Sequence, residues 1–170
     1  MLKIILCPFF IFVGAYVGFA FSKRFQKRVK QLDLLTIMLQ RIRVYLEYEK
    51  TPTKLLISKL AESESLQELS FLRRCKDKME TNINFPIVWQ ESLSECKQQL
   101  ALEQDDYTAL NQLTEVLGVY DAQAQLSGIL VLETMMKQQL EEAIEQNKTM
   151  GKLYRSLGIL SGIAAAILVI

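Results

Sequence analysis

Two charge-free apolar runs bound this chain, and each carries its basic residues on the side facing the middle. Ile4 to Phe21 is eighteen residues without a charge, followed by Lys23, Arg24, Lys27, Arg28 and Lys30. Lys148, Lys152 and Arg155 lead into Leu157 to Ile170, fourteen residues without a charge. At roughly 1.5 Å per helical residue the first run covers about 27 Å, close to the roughly 30 Å hydrocarbon core of a bilayer. The second covers about 21 Å and spans only if Leu153 and Tyr154 extend it while Arg155 snorkels to the interface. A buried core helix or a re-entrant segment is the alternative for that run. For the first run the alternative is a cleaved secretory signal, but only Lys3 precedes it and five basic residues follow, the reverse of the usual bias. Basic residues just past a span resist translocation. The expected topology is therefore a cytoplasmic middle with both termini outside.

Both runs contain glycines four apart, Gly14 with Gly18 and Gly158 with Gly162. Small residues at that spacing let helix backbones approach closely in lipid. They predict tight packing, either as a hairpin within one chain or between copies of a homo-oligomer.

The net charge of +1 conceals a segregation. Residues 22–48 hold seven Lys/Arg against two acids, whereas residues 49–147 hold nine against seventeen. Positive charge beside an apolar span meets lipid headgroups. The basic residues do not form the single face, interleaved with stacking groups, that a nucleic-acid partner would need. The acidic middle is a solvated surface, or one that docks a basic partner.

Between the runs the apolar residues recur at helical steps. Val29, Leu32, Leu35, Leu39, Ile42 and Leu46 make one stripe. Thr51-Pro52 predicts a break, with Thr51 as N-cap and Pro52 opening a short helix marked by Leu55, Leu56 and Leu60. Leu66, Leu69, Leu72, Cys75 and Met79 predict a third helix. Asn82-Ile83-Asn84 interrupts it, and Pro86 opens a fourth striped by Trp89, Leu93, Cys96 and Leu100. A fifth follows near Asp105, carries Leu110, Leu113 and Leu117, and ends at Gly118 as C-terminal cap. Asp121 caps the last, which runs through Leu126, Ile129, Met136, Leu140 and Ile144. No alternating pattern predicts a strand. The fold class is all-α, a cytoplasmic helical bundle over 22–156 flanked by transmembrane helices at 1–21 and 157–170.

Catalytic chemistry finds little purchase. There is no histidine, so the commonest general base and zinc ligand are both missing. Cys7, Cys75 and Cys96 make no CxxC pair and read as reduced packing residues. The seven glycines form neither a GxxxxGK[ST] nor a GxGxxG loop, and no GxSxG elbow occurs. The acid pairs Asp105-Asp106 and Glu141-Glu142 point about 100° apart on a helix and suit capping and solvation. The chain reads as non-enzymatic, with no cofactor, metal or small-molecule substrate.

Leu117-Gly118-Val119-Tyr120-Asp121 followed by Gln125, and Tyr154-Arg155-Ser156-Leu157-Gly158 leading into the terminal run, carry a resemblance. So do the Thr51-Pro52 break and the Trp89-to-Leu93 helix. The chain resembles the stage III sporulation protein AB family of endospore-forming bacteria along essentially its whole length. That resemblance implies a subunit of the transenvelope channel linking mother cell and forespore, needed for forespore development after engulfment. It implies a soluble part similar to the helical F-type domain of type II secretion and type IV pilus platform proteins. It also implies a place in the mother-cell membrane, engaging a cytoplasmic ATPase and other channel subunits. Leu117, Gly118, Asp121 and Gln125 match the family motif; they serve as helix stop, cap and interhelical hydrogen bond, or as a partner contact. The alternatives are a platform-type subunit of a pilus or secretion machine and a membrane-tethered helical regulator.

Overall fold

The chain is a succession of helices, described by a computed structural model over residues 2–82, 84–118 and 121–169; side chains are described except those of 2–11, 15, 155, 165, 166, 168 and 169. Ile83, Val119 and Tyr120, and the side chains of Cys7 and Arg155, all singled out in the sequence, lie outside what is described. Among the described residues there are six α-helices and no strand: α1 Leu2–Val44, α2 Thr53–Glu62, α3 Ser70–Lys78, α4 Phe85–Glu95, α5 Gln104–Leu117 and α6 Ala122–Val169. The all-α class is as read from the periodicity.

Several helix ends differ from the sequence reading. A π-helical turn, Tyr45–Glu49, closes α1, and Lys50 follows in the left-handed region at φ 46°. The N-cap of α2 is Pro52, not Thr51, and its extended backbone (φ −60°, ψ 146°) lets the helix begin at Thr53. Thr51 instead donates its hydroxyl to Glu49 at 3.3 Å. The third helix is shorter than its stripe, because Leu66 ends a 3₁₀ turn and Leu69 precedes Ser70. Leu100 likewise lies beyond α4, after a second 3₁₀ turn at Lys97–Gln99. All three leucines are still buried. Burial by tertiary packing sustains a hydrophobic stripe whether or not the backbone stays α-helical.

The remaining caps follow local chemistry. Asn84 accepts from the Ile87 N–H at 3.4 Å, with Pro86 in the first turn of α4. Glu103 and Asp106 form a reciprocal capping box at the start of α5, in which Glu103 N–H donates to Asp106 at 2.7 Å.

The contacts divide the chain into two units, Met1–Val29 with Glu141–Ile170, and Lys30–Leu140. The divisions fall inside α1 and α6 rather than at the ends of the apolar runs.

The unit of residues 30–140 is a helical bundle with its own core. Leu32, Leu35, Met38, Leu39 and Ile42 of α1 are buried there, as are Leu56, Ile57 and Leu60 of α2. Trp89 is fully buried, in an edge-to-face contact with Phe71 (centroids 5.3 Å apart) and a tilted one with Phe85. A buried indole needs a partner for its N–H, and Trp89 donates to the carbonyl of Leu110 at 2.9 Å. That bond ties α4 to α5. On the surface Lys78 bridges Glu91 (2.7 Å) and Glu95 (2.8 Å), and Lys76 meets Glu62 at 2.8 Å. These pairs raise the Lys78 ammonium, through its hydrogen bonds to Glu91 and then Glu95, and lower the Glu95 carboxyl. Exposed pairs of this kind add little stability.

The unit formed by both ends is an antiparallel helix pair: Gly14 lies against Gly158 and Gly162, while Arg28 meets Gln146. Among the described residues no helix is long and apolar enough to cross a membrane. Much of both apolar runs, including 4–11, falls outside the side chains described.

Candidate functional site

The matched motif residues gather at the corner between α5 and α6. Leu117 ends α5 with its side chain buried, and Gly118 is the C-cap. The amide of Gly118 bonds to the Thr114 and Glu115 carbonyls, each at 3.2 Å. Its backbone is right-handed (φ −83°, ψ −10°), so the left-handed geometry usually associated with a glycine cap is not used here. Asp121 accepts from the Ala124 N–H at 2.8 Å and caps α6. Gln125 reaches back and donates to the Leu117 carbonyl at 3.4 Å. The four residues are thus joined in one hydrogen-bonded corner, in which every interaction shown closes a helix end. Asp121 is exposed.

The four glycines of the apolar runs meet each other. A Cβ on Gly14 would lie 2.5 Å from the Gly158 carbonyl oxygen and 3.0 Å from the Gly162 Cα. One on Gly18 would meet the Tyr154 carbonyl oxygen at 2.5 Å, and one on Gly158 would meet the Gly14 oxygen at 2.6 Å. The obstacles are backbone atoms, which cannot rotate away as a side chain does. The glycines of one run therefore face those of the other within one chain.

Beyond them lies a polar layer that the sequence did not reveal. Ser22 is fully buried, with Gly151 opposite, where a Cβ would come within 3.4 Å of the serine hydroxyl. Arg28 is 5% exposed and donates to Gln146 at 2.8 Å. Phe21 and Phe25 both stack on Tyr154, at 5.5 and 5.9 Å. Arg28 belongs to the basic collar, yet here it serves the helix pair itself.

Two further contacts in the bundle went unread. Gly128 of α6 sits against Val116 of α5, where a Cβ would come within 2.8 Å of both valine methyls. A glycine amid a strong helical pattern is the signal that could have found it. Glu133, nearly buried, accepts from Arg43 at 2.9 Å; no local pattern marks it.

Cys75 and Cys96 are free and buried. Burial pushes the Cys75 thiol up to about 12, against the opposing hydrogen bond from Ser92 and the charge of Lys78. A thiol held neutral is a packing group, not a nucleophile. Among the described residues no cluster of His, Cys, Asp or Glu could hold a metal ion.

Comparison with known proteins agrees with this architecture. The family model described as stage III sporulation protein AB matches residues 3–170. Stage III sporulation protein AB of Bacillus subtilis (strain 168) is 24% identical over 169 residues, covering 99% of each chain. A solved structure of a stage III sporulation protein AB superposes with a TM-score of 0.58 at 22% identity, covering 71% of this chain and 96% of that one. At that identity the structural likeness concerns the fold.

Proposed function

We propose a role that proceeds from family membership: this chain belongs to the stage III sporulation protein AB family, and its function lies in sporulation. It is a non-enzymatic membrane subunit of the channel between mother cell and forespore. It anchors and organises partner subunits, a cytoplasmic ATPase among them, at the mother-cell membrane. The observation that carries this reading is the extent of the match, which takes in both apolar ends as well as the bundle between them.

Physical features support the membrane placement. Phe12 (79% exposed), Tyr16 (74%), Leu160 (60%) and Ile167 (67%) point outward from the helix pair. Apolar side chains at that density on an outer surface call for lipid or a protein partner. The inward basic collars support a cytoplasmic side for the bundle. Deleting the gene in its own host should block spore maturation after engulfment and leave vegetative growth normal; normal spores would sink the reading. Reporters fused to each terminus address the topology separately. Activity of a cytoplasm-type reporter at both ends would overturn the placement of both termini outside, and activity of opposite types at the two ends would overturn the two-span arrangement.

A further inference from the structure

The helix pair formed by the two ends brings the two basic collars to one level. Gly151 lies against Ser22, and that contact sits between the Gly18–Tyr154 approach and the Arg28–Gln146 hydrogen bond. Lys23, Arg24 and Lys27 of α1 fall within this interval, and so do Lys148 and Lys152 of α6. With Ser22 beside Gly151, the five cover about six residues of the axis, or roughly 9 Å at 1.5 Å per residue. The headgroup layer on each side of a bilayer is of similar depth, roughly 5–8 Å. Collars from opposite ends of the sequence therefore make one band.

The surroundings of the band select its ligand. All five side chains are exposed, and none meets a carboxylate among the described residues. In the bundle, by contrast, Lys59, Arg74, Lys76 and Lys78 each pair with a glutamate. The cause lies in residue order: residues 1–32 and 146–170 contain no Asp or Glu, while Glu141, Glu142 and Glu145 follow toward the bundle. Like charges crowded in one layer repel, and an external anion relieves them. Lys23 rests 4.9 Å from the centre of the Phe19 ring, at the border of the apolar run. Tyr154 stacks on Phe21 and Phe25 there, and a ring with a polar tip suits a membrane–water boundary. Just past it the pair exposes Phe12, Tyr16, Leu157 and Leu160. An anion with an apolar body satisfies both surfaces, whereas a free phosphate answers only the charge. We propose that this band binds anionic phospholipid, with the phosphate on the exposed lysines and arginine and the acyl chains on the apolar face beside them. Arg28 is no part of the site, because it is buried and committed to Gln146. The proposal rests on the reading of the chain as a membrane subunit.

The test uses the full chain in detergent, with native mass spectrometry against dioleoyl phosphatidylglycerol and dioleoyl phosphatidylcholine. The anionic lipid should be retained about tenfold more, since each basic residue near a membrane surface is worth roughly fivefold. Lys148→Gln with Lys152→Gln should lower that preference about fivefold or more, and Lys23→Gln with Lys27→Gln should do the same. Lys148→Arg with Lys152→Arg should keep it, and Lys76→Gln with Lys78→Gln on the bundle should leave it unchanged. Equal retention of the two lipids would overturn the proposal. So would a preference that survives both glutamine pairs, or one lost to the same extent in the bundle variant. Displacement of phosphatidylglycerol by millimolar inorganic phosphate would assign the band to a free anion and overturn it as well. Release of the chain from cell membranes by alkaline carbonate would refute the membrane reading itself. A chain that stays in the membrane yet shows no lipid preference refutes the band alone.

Discussion

Gln31 of α1 accepts a hydrogen bond from the backbone N–H of Ala101 at 2.7 Å. Its amide nitrogen also donates to the Gln99 carbonyl at 3.3 Å. Gln31 is 4% and Ala101 7% exposed, so water does not replace the bond between them. One carboxamide therefore holds the segment between α4 and α5 against the first long helix. Gln31→Leu leaves the buried Ala101 N–H short of a partner and should cost about 1–3 kcal/mol. Urea unfolding of the full chain in detergent measures it, and a loss below about 0.5 kcal/mol would show that the segment is held by apolar packing alone.

The glycine crossing gives a sharper contrast. Gly158→Val places side-chain atoms where the Gly14 oxygen and Gly18 Cα already sit, at 2.6 and 2.9 Å from the first carbon. It should cost about 1–3 kcal/mol or separate the two helices. Gly118→Ala should cost less, within about 1 kcal/mol of wild type, because the backbone there is right-handed and its one tight contact, the Thr114 carbonyl oxygen at 3.2 Å, needs to give only slightly. Thermal unfolding compares them, and equal losses would mean the crossing is not tight.

At the α5–α6 corner, a cap and a partner contact predict different outcomes. Asp121→Ala should cost about 1 kcal/mol of stability, and Asp121→Asn should recover most of it, since either side chain can accept from Ala124. Spore yield should follow the same order if capping is the whole role. A stable Asp121→Asn protein that fails to support sporulation would instead point to a contact needing the charge.

Cys75 offers a test in pH. Its thiol is raised to about 12 by burial, whereas an unfolded thiol ionises near about 8.5. Below the unfolded value both states are protonated and the contribution is complete. Between there and about 12 only the unfolded state loses its proton, so stability falls as pH rises. Cys75→Ala should show a shallower decline than wild type across that alkaline window in urea midpoints. At pH 8 the native thiol should resist iodoacetamide and react once the chain unfolds; prompt native labelling would contradict the burial.

Much of the architecture was legible from spacing alone. Steps of three and four placed Leu32, Leu35, Leu39 and Ile42 on one buried face, and Asp121 was readable as a cap because a carboxylate before an apolar run satisfies a free N–H. The helix ends were less so. Leu66, Leu69 and Leu100 kept the helical rhythm while the backbone left the α-helix, because the core rewards burial and is indifferent to which turn delivers it. At Gly118 the residue type was right for a cap but the usual conformational reason was absent.

What the sequence by itself determined is the class, all-α over the described residues, and the segregation of charge between two apolar ends, since both follow from residue order. Two glycine pairs were visible there as well, with a hairpin and an assembly of copies equally open. Only the tertiary structure set Gly14 and Gly18 against Gly158 and Gly162 in the same chain. It alone brought Gln31 to Ala101 and Gly128 to Val116. The reason is separation: a cap or a stripe is an interaction between near neighbours, whereas these partners meet only after the helices between them have packed.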